Sequence, residues 1–396
     1  MAKLSKAPVN ESTLYILLLM FFDLLLGQVI RFNTAIVLMI LIGWSFVYVV
    51  KVNQLPGVSR VFKALNWLIM LFTIYGVLLV FSNERLLFQG GEVYINTHYL
   101  LSIYQSLLPL YAFYYFSRTG QLTAMQLRKF IPVWFLLAII IFLQTQSEMR
   151  LLNEDDEAEV TNGSAYLLLS LIPAVALYKK RLFQYIILGL VVFFVAYGVK
   201  RGAIAVLFLS VLYYFYIYRK TTRKKFNIRS LLITLILLYA IGYFFYSFYL
   251  SSDYFQYRWT QTIEGDSSGR SLIYGDFWYY FLNQDSILGM LIGNGACATI
   301  RIKNIFAHND WLEILINQGI LGVTIFASFC YQLLKSWKKA RYDTTLYLGI
   351  GLFVIFFLSK TLFSMSYNNL PYYSAAIFAF LLAKSDTDQQ IENNGR

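Results

Sequence analysis

The chain has 396 residues, 58% of them hydrophobic and 14% charged, with a mean hydropathy of +0.57. A soluble domain carries roughly a quarter charged residues, so composition excludes an ordinary soluble protein and points to a polytopic integral membrane protein. The net charge of +12 invites a nucleic-acid reading, which the placement of the charges removes.

Apolar runs near or above the ~20 residues that cross a bilayer recur along the chain. An all-α integral membrane protein with about 12 transmembrane helices is expected, at 13–30, 34–50, 65–82, 97–117, 130–146, 164–178, 182–199, 202–218, 230–250, 310–334, 344–363 and 370–383. No small-residue cleavage site follows the first run, which therefore reads as a retained helix. No internal repeat or low-complexity linker divides the sequence. The simplest organisation is one membrane domain, 1–396, with a large outer loop at 251–309. The two cysteines, Cys297 and Cys330, fit neither a disulfide framework nor a metal spacing, and read as buried small side chains.

With the amino terminus inside, 23 of the 33 Lys and Arg residues fall on inner segments, the densest being Arg219 to Arg229. This asymmetry fits both termini inside. The basic clusters are short loops beside helices, suited to anionic lipid rather than nucleic acid. Exceptions on the outer side are informative. The run from Glu148 to Glu159 reads as a solvated acidic loop. Lys200-Arg201-Gly202 sits at a tight outer turn, where two cations imply either snorkelling to lipid phosphate or an anionic ligand. Asp23 is the main acidic residue deep in a span.

The stretch from Ser251 to Ala307 is too long for a plain connector. Within it, Leu272 to Phe281 carries an aromatic pattern that suits a helix lying at the membrane interface. Gly265, Gly269, Gly289, Gly293 and Gly295 mark turns, and Gly293-Asn294-Gly295 lacks the spacing of a phosphate-binding fingerprint. The loop ends as Ala307-His308-Asn309-Asp310-Trp311, opening an apolar helix. Asn309 or Asp310 is placed to cap that helix, and Asp310-x-x-Glu313 loosely matches a capping box. His308 precedes the helix N-terminus, where free N–H groups and the dipole favour anions, and Arg258 and Arg270 lie upstream in the same loop. Gly319 and Gly322 read as close helix packing, and His98, near an outer helix end, as structural.

Segment 307–322, AHNDWLEILINQGILG, resembles the signature of the O-antigen polymerase and ligase superfamily, in which His-Asn is followed a turn or two later by Gly-hydrophobic-hydrophobic-Gly. Ser268-Gly269-Arg270 and Gly293-Asn294-Gly295 fall where that family has Gly-Arg and Gly-x-Gly. Lys200-Arg201-Gly202 matches a second family signature, usually Ser-Arg-Gly, with Lys200 in place of the Ser. The resemblance spans the topology of the chain, but its specific motifs lie in 200–202 and 258–322.

The resemblance implies a GT-C-like membrane glycosyltransferase of the bacterial inner (cytoplasmic) membrane, acting on its periplasmic side. Such enzymes move a glycan from undecaprenyl diphosphate to an acceptor, invert the anomeric centre and use no metal or other cofactor. The implied partners are the lipid-linked donor and acceptor, the membrane itself, and a chain-length regulator as a candidate. Arg201 and Arg270 are expected to stabilise the departing diphosphate together with Arg258, since fixed guanidiniums grip phosphate bidentately. His308 suits the general base that takes the acceptor hydroxyl's proton, with Glu264, Asp266 and Asp276 as rival carboxylates. Asn309 and Lys200 complete the expected substrate contacts.

Polymerase and ligase differ in acceptor: a second lipid-linked repeat unit or the lipid A-core of lipopolysaccharide. The lean chain with only minimal motifs favours the polymerase. A flippase for the same lipid-linked sugar is the reading of another class. It predicts internal repeats and mid-membrane charges, and has no need of a long loop bearing His and Arg.

Overall fold

A computed structural model describes residues 10–82, 95–152, 162–221 and 269–394, with a few positions between 239 and 260. Among the described residues every regular element is helical. Seven helices are long and apolar enough to cross a membrane: Glu11–Val29, Ala35–Gln54, Arg60–Phe81, Ala124–Met149, Arg201–Lys220, Asp310–Tyr342 and Thr344–Phe363. This bears out a multi-pass all-α membrane protein. These seven are counted among the described residues; the other five expected runs are broken, shorter or less apolar helices, or lie outside the described residues.

The run 97–117 is two short helices, α4 (Ile95–Leu107) and α5 (Pro109–Arg118), because Pro109 has no N–H to continue the first ladder. The run 164–178 is likewise a five-residue turn, Ala165–Leu169 (α7), followed by a 3₁₀ stretch Ile172–Leu177 that carries Pro173 near its start. Helix α8 (Arg181–Tyr197) has 17 residues. The last helix, α15 (Tyr372–Asn394), is apolar only in its first half. The expected span 230–250 lies almost wholly outside the described residues, as does most of the acidic run 148–159; its first member, Glu148, pairs with Arg31.

The remaining helices are α1 (Glu11–Leu19), continued by a π-helical stretch Met20–Val29, α2 (Ala35–Gln54), α3 (Arg60–Phe81), α6 (Ala124–Leu152), α9 (Arg201–Thr221), α10 (Arg270–Leu282), α11 (Ile287–Ile292), α12 (Ala298–Lys303), α13 (Asp310–Lys339) and α14 (Thr344–Phe363). They share a core rich in large aromatics, with Trp134, Tyr111, Tyr114 and Tyr373 almost fully buried. Both cysteines are free and buried, as their setting in the sequence suggests.

Three short helices, α10 to α12, fill the described part of the long loop. Helix α10 turns Phe277 and Phe281 inward and leaves Leu272, Trp278 and Tyr279 more than half exposed. Such an exposed ring-bearing face suits a headgroup-level position. Helix α13 breaks at Gly319, which takes φ +66°. The break frees the carbonyls of Ile316 and Asn317. The amides of Asn294 and Gly295 donate to them at 3.0 Å each, so the Gly-Asn-Gly bend is stitched to the break.

Candidate functional site

The turn before α13 is built by local hydrogen bonds. Asn309, not Asp310, is the N-cap: its Oδ1 accepts from the amides of Trp311 and Leu312 at 3.0 and 3.1 Å, and its Nδ2 donates to the Leu362 carbonyl at 3.3 Å. His308 takes a left-handed φ of 51°, which turns it away from the line of the helix. Glu313 does not close a capping box on Asn309. It reaches further back, accepting from the Ala307 amide at 2.8 Å, from Thr299 at 2.5 Å and from Asn317 at 3.0 Å. Asp310 is buried, and the Ser366 amide donates to its two oxygens at 3.0 and 2.9 Å. Two carboxylates at the start of one apolar helix thus hold the backbone on either side of this turn, Glu313 at Ala307 and Asp310 at the segment after α14.

Arg270 is the first residue of α10, after Gly269 at φ +75°. Its guanidinium donates to the Phe363 carbonyl at 3.0 Å, which anchors the arginine to the end of α14. Lys200 and Arg201 open α9, after Val199 in a left-handed turn at φ 47°. Gly202 is required by packing: a Cβ there would overlap the Tyr166 hydroxyl and lie 2.9 Å from Cβ of Phe363. Arg270 and Lys200 both act on His308 electrostatically. Enclosure of the ring, then Arg270, then Lys200, hold its pKa below the usual 6.5. The imidazole is therefore neutral at pH 7, the form that can accept a proton.

These groups open onto a cavity of about 530 Å³. His308 and Lys200 line it directly, with Lys360 from α14, Tyr166 from α7 and Asp23 from the π-helical stretch. Lys360, buried in the apolar helix, donates to the Asn369 carbonyl at 2.6 Å and is electrostatically coupled to Asp310. The buried hydroxyl of Tyr166 and the Oδ1 of Asn368 have no hydrogen-bond partner among the described residues.

The expected site residues divide accordingly. His308, Lys200, Arg270 and Asn309 converge, and Arg201 stands beside Lys200 at the same helix start. Asp276 lies elsewhere, exposed on α10 and paired with Lys303 at 2.9 Å. Arg258, Glu264 and Asp266 lie outside the described residues, and His98 falls on α4 with its side chain outside them. Reasoning from the sequence did not assign Lys360, Tyr166 or Asp23 to this site. The available signal was a full charge inside an apolar run, which is a functional pointer in a membrane protein.

Among the described residues no three His, Cys, Asp or Glu side chains converge as a metal set would. The wall offers a neutral imidazole, cations, hydroxyls, carboxamides and the Asp23 carboxylate, a set suited to an anion next to a polyhydroxylated group. No family model matches the chain, and no curated protein matches it.

Proposed function

We propose that the chain is a membrane glycosyltransferase of the polysaccharide-polymerase type. It moves a growing glycan from undecaprenyl diphosphate to the non-reducing end of a lipid-linked repeat unit at the outer leaflet. The observation that carries the reading is His308: a neutral imidazole at a helix N-terminus, under the influence of Arg270 and Lys200, in the wall of a polar cavity.

In this reading the acceptor hydroxyl oxygen attacks the anomeric carbon as the bond from that carbon to the diphosphate oxygen breaks. The diphosphate leaves with the bonding pair, and the hydroxyl proton passes to His308. Negative charge grows on the leaving oxygen. Fixed cations stabilise it most in a site shielded from water, a role for Lys200, Arg201 and Arg270. Attack from the face opposite the leaving group inverts the anomeric centre. Twelve spans, inside termini and a chain-length regulator as partner belong to the same proposal.

A second reading, a flippase for the lipid-linked sugar, is favoured by one observation: Asp23 and Lys360 lie inside apolar helices and line the cavity.

The test is a glycan ladder from cells lacking the protein, complemented with wild type, His308→Ala or Arg270→Ala at equal membrane abundance. Single repeat units outside the cell without a ladder are expected for the deletion and for both variants. Repeat units retained inside would establish the flippase. Long polymer left on the lipid carrier, unattached to core, would establish a ligase. A full ladder from both variants would sink the site.

A further inference from the structure

The transfer reaction leaves two charged groups of the cavity without a role, Asp23 and Lys360, and Lys360 already donates to the Asn369 carbonyl. Asp23 lies in the π-helical stretch Met20–Val29, whose wider turn sets residues five apart on one face. Gln28, five residues on, donates its Nε2 to Asp23 Oδ1 at 3.3 Å. Gln105 from α4 donates to the same oxygen at 2.8 Å. Both carboxamides hold one oxygen, so Oδ2 has no hydrogen-bond donor among the described residues. Asp23, Gln28, Gln105, Ser102 and Ser106 all line the same cavity as His308 and Lys200, and Asp23 is only 8% exposed.

A carboxylate in an apolar helix is costly unless it is hydrogen-bonded. Two carboxamide donors satisfy half of this one. The remaining oxygen needs donors that a diphosphate does not have, because an ionised phosphate only accepts. A sugar has them: neighbouring ring hydroxyls present two O–H donors side by side to a planar acceptor. The cavity wall thus offers two chemically distinct kinds of group: Lys200 and His308, suited to the anion, and Asp23, suited to hydroxyls.

We propose that Asp23, oriented by Gln28 and Gln105, binds the ring hydroxyls of the acceptor sugar and selects a neutral or amine-bearing sugar over an acidic one. This rests on the glycosyl-transfer reading, and adds to it a substrate class at a named residue. The carboxylate repels a uronic acid as it attracts hydroxyls, so it contributes to choice as well as to hold.

The test uses the full chain purified in detergent micelles and three probes: a neutral N-acetylglucosamine disaccharide, a glucuronate-containing disaccharide, and inorganic pyrophosphate. Binding is read for wild type, Asp23→Asn, Gln105→Leu and Lys200→Met. Wild type is expected to bind the neutral disaccharide more tightly than the acidic one. Asp23→Asn keeps one acceptor oxygen but loses charge-assisted bonding, so the neutral disaccharide weakens about tenfold and the preference over the acidic one shrinks. Gln105→Leu weakens neutral binding less, through loss of orientation. Pyrophosphate binding stays within about twofold in Asp23→Asn and falls in Lys200→Met. A merely structural Asp23 would lower all three probes together. Neutral-sugar binding unchanged in Asp23→Asn, or absent in wild type, overturns the proposal. Sugar binding without pyrophosphate binding in wild type would leave Asp23 in place and remove the diphosphate reading instead.

Discussion

Gly293 and Gly319 meet backbone to backbone. A Cβ on Gly319 would lie 2.5 Å from the Gly293 nitrogen, and a Cβ on Gly293 would lie 2.5 Å from the Asn317 carbonyl carbon. Both residues also have positive φ, +79° and +66°. The long loop and the broken helix α13 therefore lock through two positions where no side chain fits. Gly319→Ala is expected to destabilise the fold by about 2–4 kcal/mol, from the left-handed backbone and the overlap together. Gly43→Ala, at a helical glycine with open space around it, is expected to be neutral or to stabilise by up to ~1 kcal/mol. Thermal unfolding of the two variants in micelles checks the contrast, and equal midpoints would remove the account of the contact.

The cations beside His308 give its titration a direction. Enclosure, Arg270 and Lys200 all favour the neutral ring. A neutral base loses activity only as pH falls through its own pKa, so the acid limb of the transfer rate is expected below pH 6.5, the usual value. Lys200→Met removes one of the cations, raises the pKa and moves that limb to higher pH. A pH–rate profile with lipid-linked donor is the measurement. An acid limb that does not move in Lys200→Met would mean that another group titrates.

Asn309 and His308 are neighbours with separable tasks. Asn309→Ala removes the cap of α13 and is expected to cost about 1 kcal/mol of stability. His308→Gln leaves the cap in place and is expected to lower the transfer rate by roughly 10²–10⁴-fold with little change in melting. Parallel melting curves and rates decide it. A rate loss in both that tracks stability would reduce His308 to a structural residue.

Asp310 holds the Ser366 amide with both oxygens and feels the charge of the buried Lys360, without an ion pair between them. Asp310→Ala is expected to destabilise by about 1–3 kcal/mol, because the buried Ser366 amide loses its acceptor and Lys360 loses the field of a nearby carboxylate. Asp310→Ala with Lys360→Met is expected to recover part of that loss. A double-mutant cycle on unfolding free energy measures the coupling, and strict additivity would show that the two groups do not depend on each other.

Gly202 admits the Tyr166 hydroxyl. Gly202→Ala is expected to lower activity by displacing the cavity wall, and Tyr166→Phe in the same chain is expected to restore part of it, since the ring can stay where the hydroxyl cannot. Transfer assays on the single and double variants check this. No rescue would place the damage at Phe363, whose Cβ lies 2.9 Å from the added methyl.

Much of this architecture was legible from local chemistry. The helix opening at Asn309, the turn at Lys200-Arg201-Gly202 and the helix over 272–281 each rest on neighbours in sequence. The runs 97–117 and 164–178 are broken helices because an average over hydropathy passes through Pro109 and Pro173, whose missing N–H groups interrupt the ladder. Glu313 was misread as a capping partner because its real partners, Thr299 and Ala307, are brought in by the loop's own fold. The pairing of Asp23 with Gln105 spans 82 positions, and the π-helical stretch that aligns Gln28 has no signature in composition. Asp23 and Lys360 could be flagged as charges in apolar runs, but nothing local places them around one cavity.

The cavity draws Asp23 from the first helix of the described chain and Lys360 and Tyr372 from near its end. During synthesis the early helices enter the membrane before Lys360 and Tyr372 have been made. Asp23 can meet Gln28 and Gln105 early, but the cavity around it stays open until the last two helices arrive. A nascent chain stalled before α14 would carry an incomplete polar pocket, the kind of unfinished surface that chaperones and proteases act upon.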